Sequence, residues 1–156
     1  MAREEQQGDV LNDELGWLIA RSRRHVFRHA HERLERMGAS MFSFPLLRRV
    51  VDHGSLSQLE LARQTAQQPS TVCRTLEDME RQKLVRRTRD PRDRRRVLVR
   101  VTPQGRALFD RIHPEVIRGV DEALRQLTRA ERTKLHALLR KLVSAAADEP
   151  APWARR

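Results

Sequence analysis

The sequence predicts a mainly α-helical fold that carries one small β-hairpin. Three observations lead to this prediction. Apolar residues recur at three- and four-residue intervals over most of the chain, which is the spacing of one helix face. Ser57–Glu60 and Thr128–Glu131 each place a hydroxyl residue three positions before a glutamate, a pattern that begins helices. Residues 97–101 instead alternate at every second position, which is the period of a strand.

Periodicity and capping residues divide the helical part of the chain. The predicted helices cover about 10–37, 41–53, 57–65, 69–82, 103–126 and 129–146. Gly38 can end the first helix in a left-handed conformation, and Ser40 or Ser43 can cap the second. Pro69 suits the first position of the fourth helix, because its missing N–H would be unpaired there anyway. Pro114 is expected to kink or break the fifth helix.

The third and fourth helices are joined by a tight turn. The fourth helix has an apolar face, with Val72, Leu76 and Met79, and an opposite face of small polar residues and arginines. This pattern is typical of a helix-turn-helix. Two strands at about 84–89 and 96–101 follow and bracket a turn rich in aspartate, proline and arginine, so we expect a hairpin with an arginine tip.

Positive charge is concentrated in one short stretch of this 156-residue, domain-sized chain. The whole chain has 32 basic and 21 acidic residues, a net charge of +11. Residues 81–102 alone contain 10 basic and 2 acidic residues. Focused positive charge favours a polyanionic partner, because neutralising phosphates releases counterions. A solvated, arginine-rich loop is the alternative interpretation.

Composition also excludes several classes of protein. No run of 18 apolar residues exists, so we expect no membrane span and no membrane partner. The first ten residues lack the apolar core of a signal peptide. Cys73 is the single cysteine, which excludes an intrachain disulfide and fits a reducing, cytoplasmic location.

Residues suited to catalysis or metal binding are scattered. No Ser/His/Asp or Cys/His arrangement and no glycine-rich phosphate loop is evident, so we expect no catalytic residues and no cofactor. His25 and His29 have metal-ligand spacing, and His113 could approach them, but no further partner is evident and we expect no metal site. Cys73 is expected to be an inert inward thiol, with a redox switch as the alternative.

Three segments resemble a known family. Residues 84–95, followed by Val101–Gly105, resemble the wing of MarR-family transcriptional regulators. Pro69–Met79 resembles their recognition helix, and Leu15–Leu18 is similar to their N-terminal helix. The resemblance covers roughly 13–146.

The resemblance implies a winged helix-turn-helix that works as a homodimer. Residues 10–40 and 103–146 would form N- and C-terminal dimerisation helices, and 41–102 would form the DNA-binding region. The recognition helix would enter the major groove, and the wing tip the minor groove, of a pseudo-palindromic double-stranded operator. Lys83 stands where the family usually has glycine and should therefore be left-handed. Gln68 replaces a better helix cap.

DNA contacts are assigned to two groups of residues. Short hydroxyls can donate to phosphates or base edges, and an arginine can bind guanine with two hydrogen bonds. The expected major-groove set is Ser70, Thr71, Arg74 and Thr75, although the first two could serve only to start the helix. Arg94 and Arg95 are the expected wing-tip residues, with Asp93 orienting an arginine. Phosphate contact or plain solvation remains open for Arg86, Arg87, Arg89 and Arg96.

The first helix offers a candidate ligand site. Many relatives bind a small aromatic acid between the dimerisation helices and the winged helix, and an arginine or histidine would pair with its carboxylate. Trp17 and Arg28 are three helical turns apart and share one helix face. The expected ligand-binding residues are Trp17, Arg21, His25, Arg28 and Phe44. They could instead be dimer-interface or surface residues.

The functional prediction is therefore a DNA-binding regulator, a repressor that a small aromatic acid releases from its operator. Half-sites should lie about 34 Å apart. Two alternatives remain open: an effector-independent nucleic-acid-binding or nucleoid-associated protein, and a metal-responsive regulator.

Overall fold

The computed structural model describes residues 2–93 and 96–147, with side chains described for 12–93 and 96–144. This part of the chain forms six helices and a three-stranded sheet, which confirms the predicted mainly α fold with a hairpin wing. None of these helices is long and apolar enough to cross a membrane. The elements are α1 (Ala2–Arg36), α2 (Ser43–His53), β1 (Ser55–Ser57), α3 (Gln58–Thr65), α4 (Pro69–Arg81), β2 (Val85–Arg89), β3 (Val97–Val101), α5 (Pro103–Ala123) and α6 (Arg129–Ala147).

One apolar core joins the helix-turn-helix to the sheet and to the α1–α5 pair. The inward faces of α2 and α3 pack on β3, where Val99 is fully buried, and the inward face of α4 joins the same core. The second half of α1 packs along α5, and Gly119 allows a close approach, because a Cβ there would lie 3.0 Å from the His29 carbonyl oxygen. The fully buried side chains include Leu34, Leu46, Leu47, Val50, Leu61, Val72, Leu76 and Ile112.

The sheet has a third strand that the sequence did not predict. β1 pairs antiparallel with β3, with Leu56 opposite Val99, and β2 pairs with β3 on the other side, with Arg87 opposite Val99. The order is therefore β1-β3-β2. β1 contains only Ser-Leu-Ser, which is too short to show a strand period.

Both predicted capping boxes are confirmed. Ser57 Oγ accepts a hydrogen bond from the Glu60 amide at 3.2 Å, and Glu60 Oε2 accepts one from the Ser57 amide at 2.7 Å. Thr128 and Glu131 make the same pair of bonds at the start of α6. The hydrogen bonds from Ser57, joined by the nearby Arg96 guanidinium, hold the pKa of the Glu60 carboxyl below its usual value.

Three helix boundaries differ from the predictions. α1 begins at Ala2 rather than near residue 10, because the polar start of the chain continues the helix without an apolar face. α2 begins at Ser43 rather than near residue 41; the Ser43 amide donates to Ser40 Oγ at 3.0 Å, so Ser40 caps the turn that leads into the helix, while Phe42 at the boundary makes no side-chain cap. α5 ends at Ala123 and continues through Pro114 without a break, since this proline lies on the exposed side, where solvent can satisfy the freed Asp110 carbonyl.

Lys83 adopts the left-handed conformation expected from the sequence, with φ of +59°. It follows α4, and the next amide, that of Leu84, donates to the Met79 carbonyl at 2.8 Å. This bond closes the helix and turns the chain into β2. A lysine in this conformation is strained by contact of its Cβ with the backbone.

Lys83→Gly is expected to raise the free energy of unfolding by about 0.5–1 kcal/mol. Relief of the left-handed strain exceeds the entropy that glycine adds to the unfolded chain. Urea denaturation at fixed protein concentration measures the change. Lys83→Ala keeps the Cβ and removes the same exposed ammonium group, so it should stay within about 0.5 kcal/mol of the parent. If the glycine variant has a lower free energy of unfolding than the alanine variant, the backbone at Lys83 is not strained.

Candidate nucleic-acid interface and ligand cleft

The polar face of α4 lies along an open groove of about 580 Å³. Because Val72, Leu76 and Met79 are buried, the rotation of α4 about its axis is fixed, and the opposite side faces outward. The loop of residues 38–43 forms the other wall of the groove. The groove brings together all four residues predicted for the major groove, Ser70, Thr71, Arg74 and Thr75.

Arg74 is the exposed cation in the middle of this face. It forms no ion pair and no hydrogen bond with any other residue that the structure describes. By contrast, Arg81 at the end of α4 pairs with Asp78. The guanidinium of Arg74 is therefore available to an external acceptor.

Arg87 connects the wing to α4 and is not a free surface cation. Its Nε donates to Glu80 Oε2 at 2.8 Å, its backbone amide donates to Glu80 Oε1 at 3.0 Å, and Glu77 lies 3.9 Å from its guanidinium. These hydrogen bonds lower the pKa of the Glu80 carboxyl and raise the pKa of the Arg87 guanidinium. Arg87 thus fixes β2 against α4, a role that sequence reasoning missed because it depends on a contact between two elements.

Arg96 makes a second link at the end of β3 that is next to the wing tip. Its guanidinium lies 3.0 Å from Glu60 Oε1, so β3 is tied to the capped start of α3. Arg86 and Arg89 are exposed on β2. The predicted wing-tip residues Arg94 and Arg95 lie outside the described residues.

Cys73 is half-buried on α4 and is not part of the apolar core. Its Sγ donates to Glu77 Oε1 at 3.3 Å. This hydrogen bond, together with burial, raises the pKa of the Cys73 thiol. Because the thiolate is the reactive form, this environment makes the cysteine less reactive.

The predicted ligand residues separate into two places. Trp17, Arg21, His25 and Arg28 line a shallow depression of about 440 Å³ on α1, where the Arg21 guanidinium lies 4.8 Å from the Trp17 ring centroid. Every described residue that lines this depression belongs to α1, so it lacks a second wall. Phe44 is not among them; it stacks on Phe109 and His113 at centroid distances of 6.0 and 6.4 Å.

A larger cleft of about 930 Å³ lies between α1 and the helix-turn-helix. Of the five residues predicted to bind the ligand, only Arg28 belongs to its lining. Its apolar surface consists mainly of Phe27, Met41, Phe42 and Pro45. Its basic lining consists of Arg23, Arg24, Arg28 and His31. Thr71 lines both this cleft and the groove along α4.

The histidines predicted to have metal-ligand spacing do not assemble into a larger group. The rings of His25 and His29 are 5.0 Å apart, edge to face. His113 lies elsewhere, with its Nε2 2.9 Å from the Arg48 guanidinium. Within residues 2–93 and 96–147, no group of three or more potential ligands could hold a metal ion.

Two helices present apolar side chains that nothing in the described chain covers. α6 has no buried side chain between residues 129 and 144. Exposed surface of this kind is typical of an interface with another molecule. The exposed large apolar residues on these helices are Leu15, Trp17, Leu18, Ile19 and Phe27 of α1 and Leu138, Leu139, Leu142 and Val143 of α6.

Comparisons with known proteins identify relatives of this chain. Residues 40–96 match the model of the MarR family. The chain is 36% identical over 92 residues to the HTH-type transcriptional repressor NicR of Pseudomonas putida; this alignment covers 59% of the chain and only 58% of NicR.

Two solved structures share the fold over most of the chain. A MarR variant from E. coli complexed with operator DNA superposes with a TM-score of 0.77 and 26% identity, covering 83% of this chain and 93% of that one. Bordetella bronchiseptica BpsR, whose DNA binding is regulated by 6-hydroxynicotinic acid, gives a TM-score of 0.77 and 31% identity, with 83% and 98% covered. The chain belongs to the MarR family.

Proposed function

We propose that this protein is a transcriptional repressor that binds a pseudo-palindromic operator as a homodimer and is released by a small aromatic acid. The observation that carries the proposal is the outward face of α4, where four predicted DNA-contact residues line one open groove beside a basic wing. The relatives named above are regulators and repressors, which favours a binding function over a catalytic one.

The exposed apolar faces support a homodimer. None of the α6 side chains from 129 to 144 is buried, so little holds this helix in place in a single chain, since most helical stability comes from packing of an apolar face. A second copy would cover α6 and the first half of α1 with the same surfaces, as two-fold symmetry requires. We therefore assign residues 10–40 and 103–146 to dimerisation and 41–102 to DNA binding.

On DNA, α4 would read the major groove and the wing the minor groove. Arg74 would bind a base edge, with Ser70, Thr71 and Thr75 contacting phosphates or bases. Arg94 and Arg95 remain the proposed minor-groove residues. Arg87 and Arg96 would act indirectly, since their carboxylate partners tie the wing to α4 and to α3.

The position of the large cleft supports release of the protein from its operator by a ligand. An aromatic ring could lie on Phe27 and Phe42 while its carboxylate pairs with an arginine. Because Thr71 lines both the cleft and the α4 groove, an occupant would contact the recognition helix directly. The link between BpsR and 6-hydroxynicotinic acid supports an aromatic acid as the ligand class.

Arg74→Ala is expected to weaken binding to the preferred duplex by about 10- to 100-fold and to relax selection at one base pair of each half-site, because a bidentate contact to guanine is lost. The preferred duplex is first selected from a random library with the full chain, and affinities are then measured by fluorescence anisotropy at one salt concentration.

Arg125→Ala is the matched control, because it removes an exposed arginine that lies after α5, away from the groove. It should leave base selection unchanged. If both variants weaken binding equally and neither changes base selection, Arg74 contributes only non-specific positive charge. That result would favour a nucleoid-associated protein that binds DNA without sequence preference. Adding 6-hydroxynicotinic acid or benzoate separates an effector-responsive protein from an effector-independent one, and a chelator effect would indicate metal response.

A further inference from the structure

We propose that the cleft between α1 and the helix-turn-helix binds an aromatic dianion, a ring that carries two negative charges, rather than a simple aromatic monocarboxylate. This inference rests on the proposed function, in which the cleft is the effector site, and specifies the chemical class of the effector. Its basis is the charge, the pairing and the placement of the arginines that line the cleft.

The lining of the cleft is positive and contains no opposing charge. Three arginines, Arg23, Arg24 and Arg28, line it together with His31. Among the described residues no aspartate or glutamate belongs to the lining. The nearest acidic partner in this group is Glu35, which lies 3.2 Å from His31 Nε2 and is outside the cleft.

These three arginines also have no carboxylate partner within the described chain. The Arg28 guanidinium lies 3.4 Å from His25 Nδ1, and the Arg23 guanidinium lies over the Phe27 ring at 5.6 Å. One turn beyond the cleft, Arg33 of the same helix pairs with two carboxylates of α5, Glu115 at 3.2 Å and Glu122 at 3.1 Å. The fold thus neutralises the arginine next to the cleft and leaves those in the cleft unpaired.

Unpaired arginines at this spacing disfavour the helix that carries them. Arg24 and Arg28 are four residues apart, so their like charges face each other along one side of α1. A ligand with one carboxylate can bind one guanidinium with two hydrogen bonds and leaves the others unpaired. Two anionic groups satisfy a second guanidinium and remove more of the repulsion.

The distances suit two anionic groups on one ring. Arg24 and Arg28 are separated by a rise of about 6 Å along the helix axis, which is comparable with the span of a benzene ring that bears opposed carboxylates. The ring itself would lie on exposed aromatic surface, since Phe27 and Phe42 are 42% and 60% exposed. A volume of about 930 Å³ leaves room for such a ligand.

Isothermal titration calorimetry on the full chain tests the proposal with benzoate, terephthalate and phenyl phosphate. Terephthalate supplies the second charge as a carboxylate, and phenyl phosphate supplies both charges on a phosphate. We expect at least one of the two dianions to bind about tenfold or more tightly than benzoate, because it gains a charge-assisted bond to a second arginine. Whichever binds more tightly identifies the anionic group.

Arg23→Gln is the most specific variant, because Arg23 lines the cleft and not the shallow depression on α1. It should reduce the preference for the dianion several-fold, as should Arg24→Gln, with circular dichroism unchanged because both side chains are exposed. Arg36→Gln removes the same charge from α1 outside the cleft and should leave the preference intact.

Equal affinities for benzoate and both dianions would contradict the proposed preference for a dianion but would not affect the proposed effector site. If none of the three compounds binds at millimolar concentration, both the dianion and the proposed effector site are wrong. A preference for a dianion that Arg36→Gln reduces as much as Arg23→Gln would also overturn the assignment, because it would reflect net charge alone.

Discussion

Leu142→Asp is expected to convert the protein from a dimer to an 18.3 kDa monomer and to lower its affinity for the selected duplex by about 10²- to 10⁴-fold. Leu142 is 55% exposed on α6, and it is proposed to be buried against the second copy. A carboxylate there would be desolvated without a partner. Because a two-fold symmetric dimer contains the substitution twice, this desolvation free energy applies twice.

The effect on DNA binding follows from the loss of bivalency. A dimer that has bound one half-site holds its second recognition helix near the other at a high effective concentration, and a monomer loses this advantage. Light scattering measures the mass, and anisotropy measures the affinity. Because Leu142 is exposed in the single chain, the variant should keep its circular dichroism spectrum.

Ala137→Asp provides the control. Ala137 is exposed on α6, about 140° around the helix from Leu142 and about 100° or more from each of the other exposed apolar residues of this helix, and the substitution introduces the same carboxylate. This variant should remain dimeric and bind DNA like the parent. A Leu142→Asp protein that stays dimeric at micromolar concentration would show that α6 is not the interface, and the proposed assignment of 103–146 to dimerisation would have to be abandoned.

Gly105→Ala is expected to lower the free energy of unfolding by about 3 kcal/mol or more, or to prevent folding. A Cβ built at Gly105 would lie 1.9 Å from the Leu84 carbonyl oxygen, which is backbone and cannot move aside like a side chain. The same carbonyl accepts hydrogen bonds from the Thr102 amide and the Thr102 hydroxyl, both at 3.1 Å. An alanine would push the start of α5 away from the turn between α4 and β2.

Gly16→Ala is the matched control for this substitution. Gly16 is also in a helix, but no atom of the residues that the structure describes lies within 4 Å of a Cβ built on it. Alanine favours helix over glycine, so this variant should be stabilised by up to about 1 kcal/mol. Thermal unfolding at fixed protein concentration should separate the two variants by about 8 °C or more. A Gly105→Ala protein as stable as the parent would contradict the close packing of α5 on Leu84.

Local sequence signals predicted the helices and strands well, but they did not predict contacts between these elements. Ser57 and Glu60 are three residues apart, so their capping box can be read from the sequence. The alternation at 97–101 likewise gave β3. The ion pair of Glu80 with Arg87 joins a helix to a strand, so it depends on tertiary packing. The short strand β1 depends on pairing with β3, which is distant in the sequence.

The candidate site divides in the same way. The residues of the α4 face were predicted together because they share one helix, and the rotation of that helix follows from its apolar stripe. Phe44, at the start of the second helix, was assigned to the ligand, yet it stacks on Phe109 of α5. The cleft is formed by segments from α1 to α4, so the periodicity of any one segment could not reveal it.

The central position of β3 has a consequence for how the protein can adapt to DNA. Hydrogen bonds hold this strand on both sides, one ion pair ties its start to α3, and another ties β2 to α4. We therefore expect the angle between wing and recognition helix to change little within one chain. Operators can differ in the rotational offset between their half-sites or in the bend of the DNA. A dimer would adapt to such differences by rotation of one subunit against the other.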